Sequence, residues 1–353
     1  MKRFISSLII ISILLTALVS LSSCDGGESK SPSRGKTISY VYFNTVSTMM
    51  VYGDVSDETF DSYLSVSEKL LSYYHKLFDI YYDYSGVNNI RLINQKAGRE
   101  PVKVDAELID FLSYCKELYA LTNGKTNVMM GAVLKIWHNH REDADYDPSS
   151  ASLPDMAELR EADTHTSIDS LVIDKDAGTV YISDPKASLD VGAIGKGYAA
   201  EKLCKKLVSM GANHVVLNIG GNIRTIGVKP DGEKWLTGLT NPDKSDDGFA
   251  ARINLGEVAC VTSGNYERYY VVDGVNYHHI IDPDTLMPAR YFSSVTVITE
   301  DSGLADALST ALFCMSYDDG LALINSIGGV EVIWIDLEYN LTKTDGISIV
   351  DEE

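Results

Sequence analysis

Hydrophobic and polar residues alternate with a period of two in some stretches of the chain and follow a helical period in others. Alternation predicts a strand or hairpin over residues 39–54 and a hairpin over residues 167–184. Helical stripes predict helices over residues 57–80 and 108–121, the second capped by Asp105 and ended by Asn123-Gly124. The charged and Pro/Ser-rich residues 141–152 are expected to form a surface loop, followed by a short helix over residues 155–161.

The second half of the pattern contains more strands than helices. Strands are predicted at residues 215–219, 223–228, 252–261, 294–299 and 330–336, and a hairpin is predicted at residues 266–281. Residues 242–247 read as a polar loop, and two helices are expected at residues 302–315 and 318–327. Because hairpins outnumber helical crossovers, we predict an α+β fold with mixed, largely antiparallel sheets and packed helices.

A glycine-rich stretch, DVGAIGKGYAAEKL at residues 190–203, precedes a helical pattern. Glycines at a helix start leave backbone N–H groups and the positive dipole end at one place, which suits a phosphate. The spacing is G-x-x-G-x-G, and Tyr198 follows Gly-Lys-Gly, so neither the dinucleotide fingerprint nor the P-loop is matched. A tight strand-to-helix turn is the simpler alternative for this stretch taken alone.

The N-terminus predicts export. Lys2 and Arg3 precede an apolar run that ends in Leu-Ser-Ser-Cys24, which is typical of a bacterial lipoprotein signal. We therefore assign residues 1–23 to a signal peptide and residues 24–36 to a lipidated Cys24 with a flexible tether. The protein is expected to be anchored in the cell membrane by lipid, facing the periplasm or the outside. A permanent membrane-spanning anchor is the alternative for the apolar run.

The net charge of the chain limits the kinds of molecule that it is expected to bind. The whole chain carries −20, and loss of Lys2 and Arg3 with the signal leaves 28 − 50 = −22. This disfavours nucleic acid as a partner, and an anionic substrate would need a local cation such as a metal ion. The folded domain is expected over residues 37–340, with an acidic tail at residues 341–353. Four cysteines in apolar surroundings are expected to be buried free thiols, with one or two disulfides left open: Cys115, Cys204, Cys260 and Cys314.

Asp306 and Thr310 lie four residues apart in a helical pattern and therefore share a face. A carboxylate and a hydroxyl are hard oxygen ligands that suit Mg²⁺. For Asp306 alone, a helix N-cap is the simpler alternative, and for Thr310 alone it is packing.

Five stretches occur in a fixed order: the glycine-rich turn, LNIGGN (217–222), TSGNYERYY (262–270), HHIIDPDTLMPAR (278–290) and ADALSTALF (305–313). In this combination the chain resembles the bacterial FAD:protein FMN transferases, the ApbE family, from about Tyr40 to Asp336. The most specific motifs are D-x-G-A-I-G-K-G-Y-A-A-E, S-G-x-Y-x-R-Y and H-I-I-D-P-x-T.

The resemblance implies that FAD is a substrate whose pyrophosphate is cleaved. AMP leaves, and FMN is transferred to a threonine hydroxyl of a partner flavoprotein that carries a flavinylation motif. It implies Mg²⁺ held by the Ala193 carbonyl and the side chains of Asp306 and Thr310, and FAD contacts from Asp190 and Lys196. Near the acceptor it implies His279 rather than His278, and Asp282 is a second candidate base. Further candidate FAD contacts are Asn44, Lys125, Thr126, Asn127, Gly220, Gly221, Ser263, Gly264 and Ile281.

Simpler roles remain open for several of these residues. Gly220-Gly221 and Ser263-Gly264 are also typical of turns, and Tyr266 with Arg268 is typical of a solvated strand face. Residues 124–129 depart from the family pattern, since Asn127 replaces an acid and Met129 a hydroxyl, and Leu286 replaces a glycine. Two other functions remain possible on the same scaffold: a metal-dependent FAD pyrophosphatase that gives free FMN and AMP, and a non-catalytic flavin-binding lipoprotein.

Overall fold

The computed structural model of this 353-residue chain describes residues 36–243 and 248–350. The predicted signal peptide, Cys24 and the tether up to residue 35 lie outside the described residues, as do residues 351–353. Among the residues that are described, no helix is long and apolar enough to cross a membrane.

The described residues form helices and short strands in an interleaved order. The helices are α1 (Asp57–Phe78), α2 (Ile90–Gln95), α3 (Ala106–Leu121), α4 (Gly131–Tyr146), α5 (Met156–Asp163), α6 (Gly195–Ser209), α7 (Ser302–Phe313) and α8 (Tyr317–Ile327). The strands are β1 (Lys36–Tyr42), β2 (Thr45–Val51), β3 (Val102–Lys103), β4 (Leu171–Asp174), β5 (Thr179–Ile182), β6 (Val215–Ile219), β7 (Asn222–Ile226), β8 (Trp235–Thr240), β9 (Phe249–Leu255), β10 (Ala259–Gly264), β11 (Tyr269–Val272), β12 (Val275–His278), β13 (Ser294–Thr299), β14 (Glu331–Ile335) and β15 (Leu341–Lys343).

One eight-stranded sheet organises the fold, in the order β1-β2-β6-β7-β10-β13-β14-β15. Every neighbouring pair in it is antiparallel. Three smaller antiparallel sheets, β3-β5-β4, β8-β9 and β11-β12, lie around it. The predicted α+β class with largely antiparallel sheets is confirmed.

Both faces of the large sheet are buried, and this follows from the alternation of side chains along each strand. On β14, Val332 and Trp334 pack in the cluster that contains the apolar side chains of α7. Ile333 and Ile335 point the other way and pack with Trp235 and the rest of the β8-β9 ribbon. The sheet is thus covered by α6, α7 and α8 on one side and by a two-stranded ribbon on the other.

Most predicted elements are present. Of the two alternatives for residues 39–54, a strand or a hairpin, the hairpin forms, with its turn at Phe43-Asn44. The hairpins predicted over residues 167–184 and 266–281 also form, with turns at Asp176-Ala177-Gly178 and Asp273-Gly274. Asp105 caps α3 by accepting a hydrogen bond from the Glu107 amide. The four cysteines are buried free thiols. Helix α2 and strands β3 and β8 are too short or irregular in pattern to have been predicted.

Three predictions about elements are wrong. The first half of the expected loop at residues 141–152 is helix, because α4 continues to Tyr146 and the acidic residues Glu142, Asp143 and Asp145 occupy its solvent side. The single strand expected at residues 252–261 is two strands in different sheets, separated at Gly256. The residues assigned to an acidic tail include β15, which pairs with β14, and Ile347, which is buried.

Candidate functional site

A cleft of about 680 Å³ opens at one end of the large sheet. It is walled by the tip of the β1-β2 hairpin, the glycine-rich loop before α6, the β6-β7 turn, the end of β10, the segment after β12, and one face of α7. Pockets of about 300–1,000 Å³ are typical of sites for ligands of cofactor size. The cleft therefore gathers the motifs that the sequence presents far apart.

Helices α6 and α7 touch at the cleft, and glycine makes this contact possible. A Cβ atom added to Gly197 would lie 2.2 Å from the carbonyl oxygen of Ser302 and 2.5 Å from Cβ of Asp306. No real side chain tolerates such distances, so α7 can approach α6 this closely only at a glycine. The contact places Asp306 of α7 over the first turn of α6.

Asp306 completes the N-terminus of α6, which has no side-chain cap of its own. Its Oδ2 accepts a hydrogen bond of 2.8 Å from the Gly197 amide, and its Oδ1 lies 3.4 Å from Nζ of Lys196. Asp306 is not the N-cap of its own helix, because Asp301 fills that position by accepting from the Leu304 amide. The carboxylate is 4% exposed and lines the cleft.

This arrangement leaves oxygen atoms that fit a divalent cation. Because the Gly197 amide turns to Asp306, the Ala193 carbonyl receives no backbone hydrogen bond within the described part of the chain. Ala193, Asp306 and Thr310 all line the cleft, and the Thr310 hydroxyl makes only a 3.4 Å hydrogen bond to the Asp306 carbonyl. The described residues hold no cluster of three or more acidic, histidine or cysteine ligands. One carboxylate with neutral oxygens fits Mg²⁺, which commonly completes its shell with water and substrate phosphates.

His278 and His279 differ in what their rings can do. In His278, Nε2 lies 2.8 Å from the Ala289 carbonyl and Nδ1 accepts from the Ile280 amide, so both nitrogens are engaged. In His279, Nδ1 lies 3.3 Å from the Arg268 carbonyl and is therefore the protonated nitrogen. Its Nε2 has no hydrogen-bond partner among the described residues. His279 lines the cleft and has the free acceptor nitrogen that a general base requires.

The surroundings keep the His279 ring neutral. Burial lowers the pKa of His279 to about 3, and the charges of Arg268 and Arg141 act in the same direction. Both arginines line the same cleft. Within the described residues neither guanidinium has a carboxylate within 4.0 Å, and Arg141 is held by a 2.8 Å contact between its Nη2 and Nδ1 of His138. Burial raises the pKa of Asp190, which lies in the same positive field.

Asp282 does not fit the second base role expected from the sequence. Its carboxylate accepts a 2.8 Å hydrogen bond from Nζ of Lys125 and also receives the Asp284 amide. It is 2% exposed and is not part of the cleft wall. A second ion pair of 2.9 Å joins Lys125 to Asp284, so the charge of Lys125 is largely neutralised. Asp282 therefore holds Lys125 and its own turn in place, and His279 remains as the candidate base.

A protein-family model described as the ApbE family matches residues 43–334. The chain belongs to the ApbE family. It is 30% identical over 280 residues to the FAD:protein FMN transferase of Klebsiella pneumoniae (strain 342), covering 77% of this chain and 83% of that protein. It is 31% identical over 269 residues to the FAD:protein FMN transferase of Treponema pallidum (strain Nichols), covering 72% of each.

Solved structures of ApbE proteins share the fold. The ApbE protein of Thermotoga maritima superposes with a TM-score of 0.77 at 27% identity, over 89% of this chain and 98% of that one. The flavin transferase ApbE of Vibrio cholerae superposes with a TM-score of 0.73 at 25% identity, over 89% of this chain and 97% of that one.

In this ApbE-family chain the cleft collects nearly every residue singled out from the sequence. The residues that line it are Asn44, Lys125, Thr126, Asn127, Asp190, Ala193, Lys196, Gly220, Gly221, Ser263, Gly264, His279, Ile281, Asp306 and Thr310. Some of these are engaged within the protein. The Thr126 hydroxyl donates to the Ala307 carbonyl, and the Asn127 amide donates to the Thr166 carbonyl. These two side chains therefore shape the wall more than they offer free groups to a ligand.

Positive φ angles explain the two glycines of the β6-β7 turn and bear on one departure from the family pattern, Leu286. Phe43 and Asn44 both have positive φ and form the two-residue turn between β1 and β2. Gly220 and Gly221 do the same between β6 and β7, and a side chain at Gly220 would collide with Thr45. Leu286, where the family commonly has glycine, keeps a positive φ of 62°. Left-handed backbone costs a non-glycine residue about 1–2 kcal/mol, so this turn keeps its shape under strain.

Two groups in the cleft wall were missed from the sequence. Arg141 falls in the stretch predicted to be a loop, although the residues of α4 and its N-cap that line the cleft have helical spacing: Met130, Leu134, Trp137, His138 and Arg141. That spacing was the available signal. Asn222 ends the stretch LNIGGN, and no sequence pattern distinguishes it from an ordinary strand residue.

Proposed function

We propose that this chain is a Mg²⁺-dependent FAD:protein FMN transferase that moves FMN from FAD to a threonine hydroxyl of a partner flavoprotein. The observation that carries the proposal is the placement of two chemistries in one cleft. The oxygen set of Asp306, Thr310 and Ala193, with Lys196 beside it, lines the same cleft as the free Nε2 of His279. The family membership and the names of the relatives support the same reaction.

The α6-α7 end of the cleft suits the pyrophosphate of FAD. Phosphoryl transfer depends mainly on positioning and on neutralising charge. A Mg²⁺ ion held by Asp306, Thr310 and the Ala193 carbonyl would supply positive charge to the pyrophosphate. Lys196 supplies a second cation, and the start of α6 contributes its helix dipole. This local charge offsets the negative balance of the chain as a whole.

His279 suits the acceptor. The oxygen of the acceptor threonine forms a bond to the FMN phosphorus, and the bond from that phosphorus to the AMP oxygen breaks. The hydroxyl proton passes to Nε2 of His279, which is neutral and unpartnered. General-base assistance is worth about 10²–10⁴-fold in rate when the pKa of the base lies near the working pH, and the negative charge of bound FAD beside the ring would raise the His279 pKa toward that range.

The cellular setting is part of the proposal. The Leu-Ser-Ser-Cys24 sequence and the apolar run before it support export and lipid attachment at Cys24. The acceptor would then be a flavoprotein that presents its threonine on the same side of the membrane. A lipid anchor would keep the enzyme at that surface.

Mass spectrometry tests the reaction directly. The full chain would be incubated with FAD, Mg²⁺ and an acceptor fragment that carries the threonine motif, with and without EDTA. We expect an EDTA-sensitive mass gain on the fragment equal to FMN, with release of AMP. Free FMN and AMP with two unmodified acceptors would favour the pyrophosphatase, and bound but intact FAD would favour a flavin-binding protein.

Two substitutions assign the roles. Asp306→Ala should reduce FAD turnover by at least about 10²-fold, since metal-assisted charge neutralisation is lost. His279→Ala should reduce transfer by about 10²–10⁴-fold and leave the Kd for FAD nearly unchanged. Asp318→Ala, at an exposed position of α8 outside the cleft, is the matched control. Metal-dependent turnover retained in Asp306→Ala would contradict the metal assignment.

A further inference from the structure

Four buried side-chain atoms in the described part of the chain lack a hydrogen-bond partner: Ser47 Oγ, Asn222 Nδ2, Ser302 Oγ and Trp334 Nε1. Of these four residues, Asn222 alone belongs to the cleft wall. Asn222 is 2% exposed, so contact between its amide and a ligand requires the side chain to rotate toward the cleft. A buried donor without a partner is unfavourable, and such a group in a binding cleft indicates an acceptor atom on the ligand.

The other polar side chains nearby satisfy one another. The Ser263 hydroxyl lies 2.9 Å from the Ser309 hydroxyl, and the Thr262 hydroxyl lies 2.8 Å from that of Thr296. Oδ1 of Asn218 accepts a 2.8 Å hydrogen bond from the Gly221 amide. Asn222 differs from these neighbours because, within residues 36–243 and 248–350, no group accepts a hydrogen bond from its side-chain N–H.

The strand register shows which side of the sheet Asn222 faces. Asn222 and Arg224 are two residues apart on β7 and therefore point to the same face. Arg224 reaches α6 through a 3.0 Å ion pair with Glu201, which also accepts the Ser302 amide at the start of α7. Asn222 thus points to the α6-α7 side.

The same register sets the position of Asn222 along the axis of α6. From Arg224 to Asn222 the strand advances about 6.6 Å toward the cleft. From Glu201 back to Gly197, α6 advances about 6 Å toward the same cleft. Asn222 is therefore level with Gly197, whose amide is bonded to Asp306. At this level the cleft offers a lysine, a helix N-terminus and candidate metal-ligating oxygens.

We propose that the side-chain amide of Asn222 donates a hydrogen bond to a phosphate oxygen of the bound dinucleotide. The proposal rests on the proposed function, because it takes FAD as the substrate. An amide suits this position, since it donates to a phosphate oxygen without adding charge. A carboxylate there would repel both the phosphate and Asp306. Asn222 thereby contributes to specificity for the pyrophosphate. It contacts the phosphate from the sheet, across the cleft from Lys196 and α6.

Binding measurements on the full chain test this assignment without requiring turnover. FAD and ADP are the phosphate-bearing probes, and riboflavin and adenosine are the phosphate-free probes, each titrated in the presence of Mg²⁺. We expect Asn222→Ala to weaken FAD and ADP binding by about 10-fold, and Asn222→Asp to weaken it further. Riboflavin and adenosine should bind as they do to the unsubstituted chain. Asn254→Asp is the matched control, because Asn254 is exposed on β9 and outside the cleft.

Several results would overturn the assignment. FAD and ADP binding equal to that of the unsubstituted chain in both variants would show that the amide contacts no ligand. An equal loss of affinity for riboflavin or adenosine would show that the amide contacts a ring of the ligand and not a phosphate. A weaker Mn²⁺ affinity of Asn222→Ala without nucleotide would mean that the residue acts by positioning Asp306. If Asn222→Asp does not fold, FAD and ADP binding by Asn222→Ala and Asn222→Ser tests the assignment. An unsubstituted chain that binds neither FAD nor ADP would overturn the proposed function as well.

Discussion

At the residue scale, the two histidines of the HHIIDP stretch show how local bonding selects a function. They are adjacent in sequence, and burial lowers the pKa of both rings, to about 4 for His278 and about 3 for His279. Both ring nitrogens of His278 are hydrogen-bonded to backbone groups, whereas only Nδ1 of His279 is. The hydrogen-bond partners of the ring nitrogens therefore explain why His279, and not His278, is the candidate base.

The low pKa of His279 predicts an unusual pH profile. A histidine with an ordinary pKa near 6.5 would lose base activity as the pH falls through that value. Because the free protein holds the His279 pKa near 3, the imidazole stays neutral throughout the range from pH 5 to 8. We expect kcat/KM for FMN transfer to show no acid limb near pH 6.5. A limb there that disappears in His279→Ala would contradict the neutral-base geometry.

At the element scale, the α6-α7 pair is the part of the fold that builds the phosphate end of the cleft. Three contacts hold it: Asp306 on the Gly197 amide, Glu201 on the Ser302 amide, and the buried ion pair of Glu201 with Arg224. Buried ion pairs are costly to break, since the remaining charge is left without a partner. The two helices are thus joined at two points in the first half of each, and the positions of Asp306 and Thr310 follow from this.

Gly197→Ala should disrupt this pair. The added methyl group would meet the Ser302 carbonyl at 2.2 Å, so one helix must move away from the other. Overpacking of this kind costs about 1–3 kcal/mol or more, and here it also displaces Asp306. We expect a lower midpoint in denaturant unfolding together with a loss of Mg²⁺-dependent FAD turnover. Gly256→Ala is the control, because a Cβ there meets nothing within 4 Å and needs no positive φ. Equal stability and activity of the two variants would contradict the close-contact explanation.

At the scale of the whole molecule, the large sheet is closed off by the residues near the C-terminus. Strand β15 pairs along β14 at the sheet edge. Ile347 packs in the cluster under the β8-β9 ribbon with Leu341 and Ile349 beside it, and Ile349 bridges to Ile253. The described part of the supposed acidic tail is therefore a structural edge.

Removing residues 341–353 should destabilise the whole domain. Full burial of an aliphatic side chain is worth about 1.5–3 kcal/mol, and the deletion removes several partly or fully buried ones. We expect the melting temperature to fall by about 5 °C or more, measured by circular dichroism. Deletion of residues 351–353 alone should leave it unchanged. A melting temperature unaffected by the longer deletion would show that this edge contributes no stability.

Much of the fold and the site could be predicted from the sequence, because the signals were local. The hairpins followed from alternation interrupted by turn residues, and the shared face of Asp306 and Thr310 followed from their spacing of four. The charged second half of α4 was misread, since charge on the solvent side of a helix resembles a loop in composition. The sequence does not show the β9-β10 break because strand-forming apolar residues occur on both sides of Gly256, Ile253 and Leu255 before it and Val258 and Val261 after it.

The sequence by itself determined the α+β class, the order of the motifs, and the chemistry available at Asp306, Thr310 and His279. Each of these depends on residue type and on spacing within one element. Only the tertiary structure decided that Asp282 is ion-paired with Lys125, that Arg141 lies on the cleft, and that Nδ2 of Asn222 has no hydrogen-bond partner among the described residues. Those three outcomes depend on which distant groups meet across the sheet and helices. The free energy of burying a polar group depends on such partners, and spacing along the chain does not encode them.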